Sequence, residues 1–357
     1  MRMQLRMRTG LVAGLLAAVT LAGCGSGSSS SAKEGGSVAK TGEKVTLRLG
    51  YFTNITHAPA LVGLEKGIFA DKLGPNVTLT PSVFNAGPAA VEAIFSGAID
   101  ATYVGPNPAI NAFAKSNGQA VRIISGATSG GAFLVVNPSI TKAADLKGKK
   151  VASPQLGNTQ DVALRSWLKS QGLTTDTQGG GEVSIVPQDN AQALEAFKNG
   201  AIAGAWEPEP WATRMVQEGK GKVLLDERTL WPGGQFVTTQ LMVRTAFLKE
   251  HPDVVQHLLE GQVAATDFIN ANPAEAKTLA NQALQKATGK ALPQAVVDAA
   301  WPHMTFTNDP IASSLRKGAD NAKAVGLLDP GTKLDGIYDL TLLNKVLKAA
   351  GKPQVHS

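Results

Sequence analysis

The chain has one cysteine, Cys24, in 357 residues. A single thiol can close no internal disulfide, so packing and hydrogen bonding must hold the fold. The 5 histidines are scattered, and His251 and His257 lack the i,i+4 spacing that puts two imidazoles on one helical face, so no metal site is expected. Aromatic residues make up only 5%, which leaves Val, Leu, Ile and Ala to fill a core. The phosphate-binding GxxxxGK[ST] loop, a GxGxxG after a strand, HExxH and the GxSxG elbow are all missing. Nucleotide hydrolysis by a phosphate-binding loop is thereby excluded, no enzyme signature remains, and no cofactor is expected. Lysines and arginines form no dense block, which speaks against a nucleic-acid partner.

What is present begins with Arg2, Arg6 and Arg8 and no acid before residue 9. An apolar run over residues 11–22 follows, well short of the roughly 20 residues that span a bilayer. Residues 1–23 therefore read as a secretory signal peptide. Leu21-Ala22-Gly23-Cys24 resembles the lipobox of bacterial lipoproteins. That resemblance implies cleavage before Cys24, a diacylglycerol on its sulfur, and extracytoplasmic anchoring to the cell membrane. Residues 24–43, rich in Gly and Ser, are expected to be a flexible tether. Removing Arg2, Arg6 and Arg8 from the formal charge leaves 31 basic residues against 28 acidic ones, a net +3. That balance reads as a solvated mixed surface.

One stretch of the chain is written twice. Val77-Thr78-Leu79-Thr80-Pro81 leads to Val91 through Ile99, and Val183-Ser184-Ile185-Val186-Pro187 leads to Leu194 through Ile202. The echo continues into Pro106-Asn107-Pro108 and Pro208-Glu209-Pro210. Two copies of a strand–helix–strand unit predict two similar lobes with a cleft between them. Val45, Leu47 and Leu49 alternate with polar residues as a strand would, and Pro59, Pro88 and Pro108 suit the first turns of helices. Strand and helix then alternate, which predicts an α/β fold with a mostly parallel sheet in each lobe. The expected organisation is a first lobe over residues 44–134, a second over 135–237, and a return over 238–357 that ends in helices packed on the first lobe. Two crossings, near 135 and 237, would form a hinge.

In open α/β sheets, ligands bind beyond the carboxyl ends of the strands. Five loops occupy such positions. Asn54, Thr56 and His57 offer amide, hydroxyl and imidazole. Ala86 and Gly87 let a ligand approach backbone N–H groups at a helix start. Gly105 and Asn107 flank a proline turn. Gly157, Asn158 and Thr159 combine backbone access with helix capping. Trp206 either covers an apolar part of a ligand or belongs to the core. Glu207 either meets a ligand amine or is a solvated loop acid. The loops at 105–107 and 207–209 are expected to face each other across the cleft.

Gly50 through Ala60, Glu65-Lys66-Gly67-Ile68-Phe69, Ser96-Gly97-Ala98-Ile99-Asp100, Asp145 through Ala152 and Gly157-Asn158-Thr159-Gln160-Asp161 together resemble the nitrate/aliphatic sulfonate/taurine-binding family of ABC-importer substrate-binding proteins. The resemblance runs over roughly residues 45 to 345. It implies a two-lobed periplasmic-binding-protein-like type II fold, a ligand closed between hinged lobes, and delivery to a membrane permease driven by a separate ATPase. It also places the five loops against the ligand. One departure stands out: where the family often has Ser or a second Gly, this chain has Ala86-Gly87-Pro88, and Pro88 removes one N–H donor. The expected ligand is a small organic anion, an aliphatic sulfonate or a taurine-like molecule, bound by a monomer. Nitrate, a phosphonate and a pyrimidine or thiamine precursor are the alternatives. A pyrimidine-forming enzyme of the same fold and a non-transport surface lipoprotein rank behind them.

Overall fold

Leu47 and Leu49 are fully buried, Thr46 is exposed and Arg48 is half-buried, so the alternation in the sequence becomes the two faces of strand β1, Val45–Phe52. The computed structural model describes residues 44–357. The expected signal peptide, Cys24 and the whole of the expected tether lie outside the described residues. Strands β2 (Val77–Phe84), β3 (Ala101–Val104) and β4 (Val121–Gly130) follow β1. Next come β5 (Ala132–Val136), β6 (Lys150–Ser153), β7 (Ser184–Pro187), β8 (Gly204–Pro208) and β9 (Lys222–Asp226). The last are β10 (Val237–Arg244) and β11 (Met304–Phe306).

These strands form two sheets, ordered β11-β4-β10-β3-β1-β2 and β7-β6-β8-β5-β9. The duplication is visible in them. In one sheet β2, β1 and β3 run parallel; in the other β7, β6 and β8 do. Each trio is then extended by antiparallel pairings, with β10 and β4 in the first sheet and β5 and β9 in the second. The sheets are therefore mixed. The physical reason is exchange: β5 enters the second sheet directly from β4, and β10 returns to the first sheet directly from the second. The outward crossing is sharp because Gly130 and Gly131 both adopt left-handed backbone, with φ of 80° and 76°, a region that costs glycine little.

Each sheet is covered on both faces. Leu47, Leu49 and Tyr103 pack with Leu258 and Leu259 of helix Pro252–Ala271 on one face of the first sheet. Val104, Ile123 and Met242 pack with Leu315 of helix Ala312–Ala324 on the other. Trp206 and Val151 face helix Thr159–Ser170, while Ala205 and Ala152 face helix Asn190–Lys198. The C-terminal helices thus cover the first sheet. Asp100 stitches that sheet together: it is fully buried and accepts hydrogen bonds from Arg48 Nε at 2.8 Å and Arg244 Nη2 at 2.9 Å. Burial opposes its ionisation, yet the two guanidinium groups hold its carboxyl below the usual range. Among the described residues, no helix is long and apolar enough to cross a membrane.

Candidate functional site

Six parallel strands, three from each sheet, end at one cleft. From the first lobe come Asn54, Thr56 and His57 beyond β1, Asn85 beyond β2 and Gly105 beyond β3. From the second come Asn158, Thr159 and Gln160 beyond β6, Asn190 beyond β7, and Pro208 at the end of β8. Thr238 and Thr239 of β10 complete the wall where the chain returns.

Nearly every one of these loops opens a helix. The helices are Ala58–Glu65, Gly87–Phe95, Pro106–Lys115, Thr159–Ser170 and Asn190–Lys198, and among the described residues none has a side-chain hydrogen bond capping its N-terminus. The first-turn N–H groups of a helix have no partner within it and carry the positive end of its dipole. The two lobes contribute unequally. Pro59, Pro88, Pro106 and Pro108 remove donors from first turns in the first lobe, whereas Thr159-Gln160-Asp161 and Asn190-Ala191-Gln192 keep all of theirs. Among the described residues, no Lys, Arg, Asp or Glu lines the cleft. Its field is set by dipoles, amides and hydroxyls.

His57 fits that neutral character. Its ring is 2% exposed and stacks on Phe52 with centroids 4.4 Å apart. Nδ1 accepts from the Phe52 N–H at 3.3 Å, which leaves the proton on Nε2. Burial lowers its pKa to about 3, so the imidazole is uncharged at neutral pH. Thr159 Oγ1 and Thr239 Oγ1 are buried in the wall and have no partner among the described residues. A buried hydroxyl without a partner is costly, and a ligand oxygen would relieve both.

The lobes touch through several polar contacts. Trp211 Nε1 donates to Asn54 Oδ1 at 2.8 Å. Asn85 Nδ2 donates to Asp189 Oδ2 at 3.3 Å. A Cβ on Gly105 would overlap Thr159 Oγ1, and one on Gly87 would overlap Pro108 and sit 3.0 Å from Asn158 Oδ1. Only glycine allows these approaches. Asp161 braces the second-lobe loop from beneath: it accepts from Ser153 Oγ at 2.8 Å, Gly157 N at 2.9 Å and Arg165 Nε at 3.0 Å.

Asn54, Thr56, His57, Gly105, Asn158 and Thr159 are brought together in the cleft wall. The remaining expected residues sit behind it. Ala86 is the buried N-cap residue of helix Gly87–Phe95, and Gly87 packs on Pro108. Asn107 donates to the Gly318 carbonyl at 3.2 Å and so ties two helices together. Gly157 takes a left-handed turn, with φ 76°, and spends its N–H on Asp161. Trp206 belongs to the core: it is fully buried, and Nε1 donates to Glu227 Oε2 at 2.7 Å. Glu207 is not a solvated loop acid but fully buried, and burial pushes its carboxyl well above the usual range. With its amide oriented to satisfy its neighbours, Asn190 donates to Glu207 Oε2 at 3.0 Å and shares the Trp211 N–H with Asn54 as the longer arm of a bifurcated bond, at 3.2 Å. Glu207 Oε1 has no partner among the described residues. Asn190 was legible through the repeat, since it opens the second-copy helix as Gly87 opens the first. Thr238 and Thr239 lie within a strand, where a search of loops does not look.

Comparison with known proteins agrees with this geometry. A family model described as the NMT1-like family matches residues 40–284. The chain is 28% identical to the taurine-binding periplasmic protein of Escherichia coli (strain K12), over 66% of this chain and 70% of that protein. It is 26% identical to a putative aliphatic sulfonates-binding protein of Bacillus subtilis (strain 168), over 96% of this chain and 98% of that protein. Among solved structures, the periplasmic nitrate-binding protein NrtA of Synechocystis PCC 6803 superposes with a TM-score of 0.74 at 19% identity, covering 87% of this chain and 90% of that one. The fold is the two-lobed fold of periplasmic binding proteins.

Proposed function

Because the chain belongs to the NMT1-like family, we propose that it is the solute-binding component of an ABC importer, which captures a small organic anion between its lobes and passes it to a membrane permease driven by a separate ATPase. An aliphatic sulfonate or a taurine-like molecule is the ligand favoured. The observation that carries this reading is the convergence of uncapped helix N-termini on a cleft without charged side chains. Such termini bind anions through N–H groups and aligned dipoles. The relatives named above are, by their names, binding proteins, and no covalent chemistry is proposed here.

A thermal-shift screen tests the reading. A ligand at a hundredfold excess over its Kd stabilises the folded state by about 2.7 kcal/mol. Ethanesulfonate, taurine, nitrate, a phosphonate and pyrimidines form the panel. A shift with sulfonates supports the proposal; a shift confined to uncharged or cationic compounds overturns it.

Glu207 favours a second reading, an amine-bearing ligand such as a pyrimidine or thiamine precursor. Its unpartnered oxygen lies one amide, Asn190, behind the cleft. Unchanged ligand affinity in Glu207→Ala would count against that version. The membrane anchor is part of the same proposal: Cys24→Ser should move the protein from the membrane fraction to the soluble fraction.

A further inference from the structure

Three residues of the cleft wall have already spent their acceptor atoms inside the protein. His57 Nδ1 accepts from the Phe52 N–H at 3.3 Å. Asn54 Oδ1 accepts from Trp211 Nε1 at 2.8 Å. Asn190 Oδ1 takes the longer arm of the same N–H at 3.2 Å, and its Nδ2 donates to Glu207 Oε2 at 3.0 Å. These residues therefore leave donors for the cleft they line: His57 Nε2–H, the Asn54 NH2 and one N–H of Asn190. Asn85 and Asn158 differ. Their Nδ2 groups are spent on Asp189 Oδ2 and Gln160 Oε1, at 3.3 Å in each case, so each keeps its oxygen.

An asparagine amide has nearly the same shape either way round, so its hydrogen-bond partner decides which end faces a ligand. For Asn54 that partner stands on the other lobe. Trp211 opens the helix Trp211–Gln217 after β8 of the second sheet, whereas Asn54 follows β1 of the first. The indole is held in place from outside. Arg214 lies 4.7 Å from its ring centroid, and two hydrogen bonds to Glu218, at 2.7 and 3.1 Å, fix the guanidinium there and compensate its charge. Asn190 is braced at both ends within the second lobe, by Glu207 and by Trp211. The orientation of Asn54 rests on the Trp211 N–H alone.

We propose that Trp211 is a positioning residue for ligand selection: across the lobes, its N–H holds the Asn54 amide with the oxygen turned away and the NH2 presented to the ligand. This rests on the anion reading of the cleft. A group whose outer atoms only accept, such as a sulfonate, is matched by that NH2. A neutral group of the same shape that carries NH2 in place of one oxygen sets a donor against a donor, and a mismatch of that kind is how a site rejects a near-isostere. Trp211 thus acts on the ligand through Asn54 and need not touch it.

Methanesulfonate and methanesulfonamide share one heavy-atom framework and differ by an oxygen exchanged for NH2, so calorimetric titration with the pair tests this. The wild type should bind the sulfonate more tightly. Trp211→Phe keeps an aromatic ring and removes the N–H, which frees the Asn54 amide to turn, and the ratio of the two affinities should shrink about tenfold. Asn54→Ala should shrink it likewise, and adding Trp211→Phe to Asn54→Ala should change it no further. If Trp211→Phe melts well below the wild type, benzothienylalanine at position 211, which has the shape of the indole without its N–H, gives the same reading. A ratio that stays at the wild-type value while both affinities fall together overturns the proposal, because the ring then only packs. Further shrinkage in the double variant overturns the route through Asn54. Equal wild-type affinity for the two compounds overturns the selection itself. Binding of neither overturns the anion reading, and this proposal with it.

Discussion

Glu209 Oε1 and His303 Nδ1 meet at 2.7 Å across the two lobes. Glu209 follows β8 of the second sheet, and His303 precedes β11 of the first. The carboxylate is 1% exposed and is anchored in its own lobe by Thr213 N and Thr213 Oγ1, at 3.1 and 2.8 Å. The imidazole packs edge-on against Phe133, with centroids 4.7 Å apart. His303→Ala removes a hydrogen bond to a carboxylate that joins the two lobes in this structure. A loss of roughly 1.5 kcal/mol corresponds to about tenfold weaker ligand binding. Titration calorimetry reads the affinity and small-angle scattering the separation of the lobes; unchanged values in both would show that the contact does not hold the lobes together.

Gly105→Ala tests the approach of the lobes from inside the cleft. The backbone at Gly105 is extended, with φ −71°, so alanine is tolerated there. The added Cβ meets Thr159 Oγ1 of the opposite lobe. Overpacking of this kind costs about 1–3 kcal/mol, and here it falls on the closed form. Ligand affinity should drop at least fivefold while the circular dichroism spectrum and melting temperature stay near wild type. A melting temperature that falls as far as the affinity would mean the clash is felt without closure.

Thr239→Val separates binding from stability. The hydroxyl of Thr239 is buried without a partner, so replacing it by a methyl of similar shape should leave stability unchanged or raise it by about 1 kcal/mol. A ligand that accepts from that hydroxyl loses a hydrogen bond, and affinity should fall by about 5–30-fold for 1–2 kcal/mol. Unaltered affinity would remove Thr239 from the binding surface.

Two buried groups give opposed pH dependences. Burial raises Glu227 from 4.5 to about 7, against the pull of the Trp206 and Trp231 indoles. The folded state therefore binds a proton more readily than the unfolded state does. The stability from this group is fully present below pH 4.5 and is lost as pH rises through about 7, about 3 kcal/mol in all. His57 is lowered from 6.5 to about 3, so its contribution is present above 6.5 and lost as pH falls toward 3. Glu227→Gln should flatten the fall in stability between pH 5 and 7, measured by urea unfolding across that range. An unchanged slope would mean that Glu227 does not titrate there.

Much of the fold was legible because it is written in local patterns. The alternation Val45-Leu47-Leu49 and the repeated Val77 and Val183 segments became β1, β2 and β7 in equivalent places of two sheets. Proline at helix starts marked the loops that reach the cleft. The directions of β5 and β10 were not legible, because they depend on where the chain crosses between lobes. Nor was β9, whose five residues Lys222–Asp226 gain their structure from pairing with β5. Asn54, His57 and Thr159 were legible as candidates for the cleft wall because they lie in loops beyond strands. Trp206 and Glu207 show the limit of that approach. Side chains alternate along β8, so Trp206 enters one core and Glu207 turns toward the other face; a loop position alone does not tell how deeply a strand end is buried.

The strand exchange also sets an order of assembly. The second sheet is built from one continuous stretch, residues 132–226. The first is not: β10 lies at its centre, between β4 and β3, and is made only after the second sheet has been threaded. As a chain emerges N-terminus first, β1 to β4 must wait for that central strand before their sheet is complete. The lobe that holds β1 to β4 is thus the last to be finished, and until then β3 and β4 expose open edges that can pair with another chain.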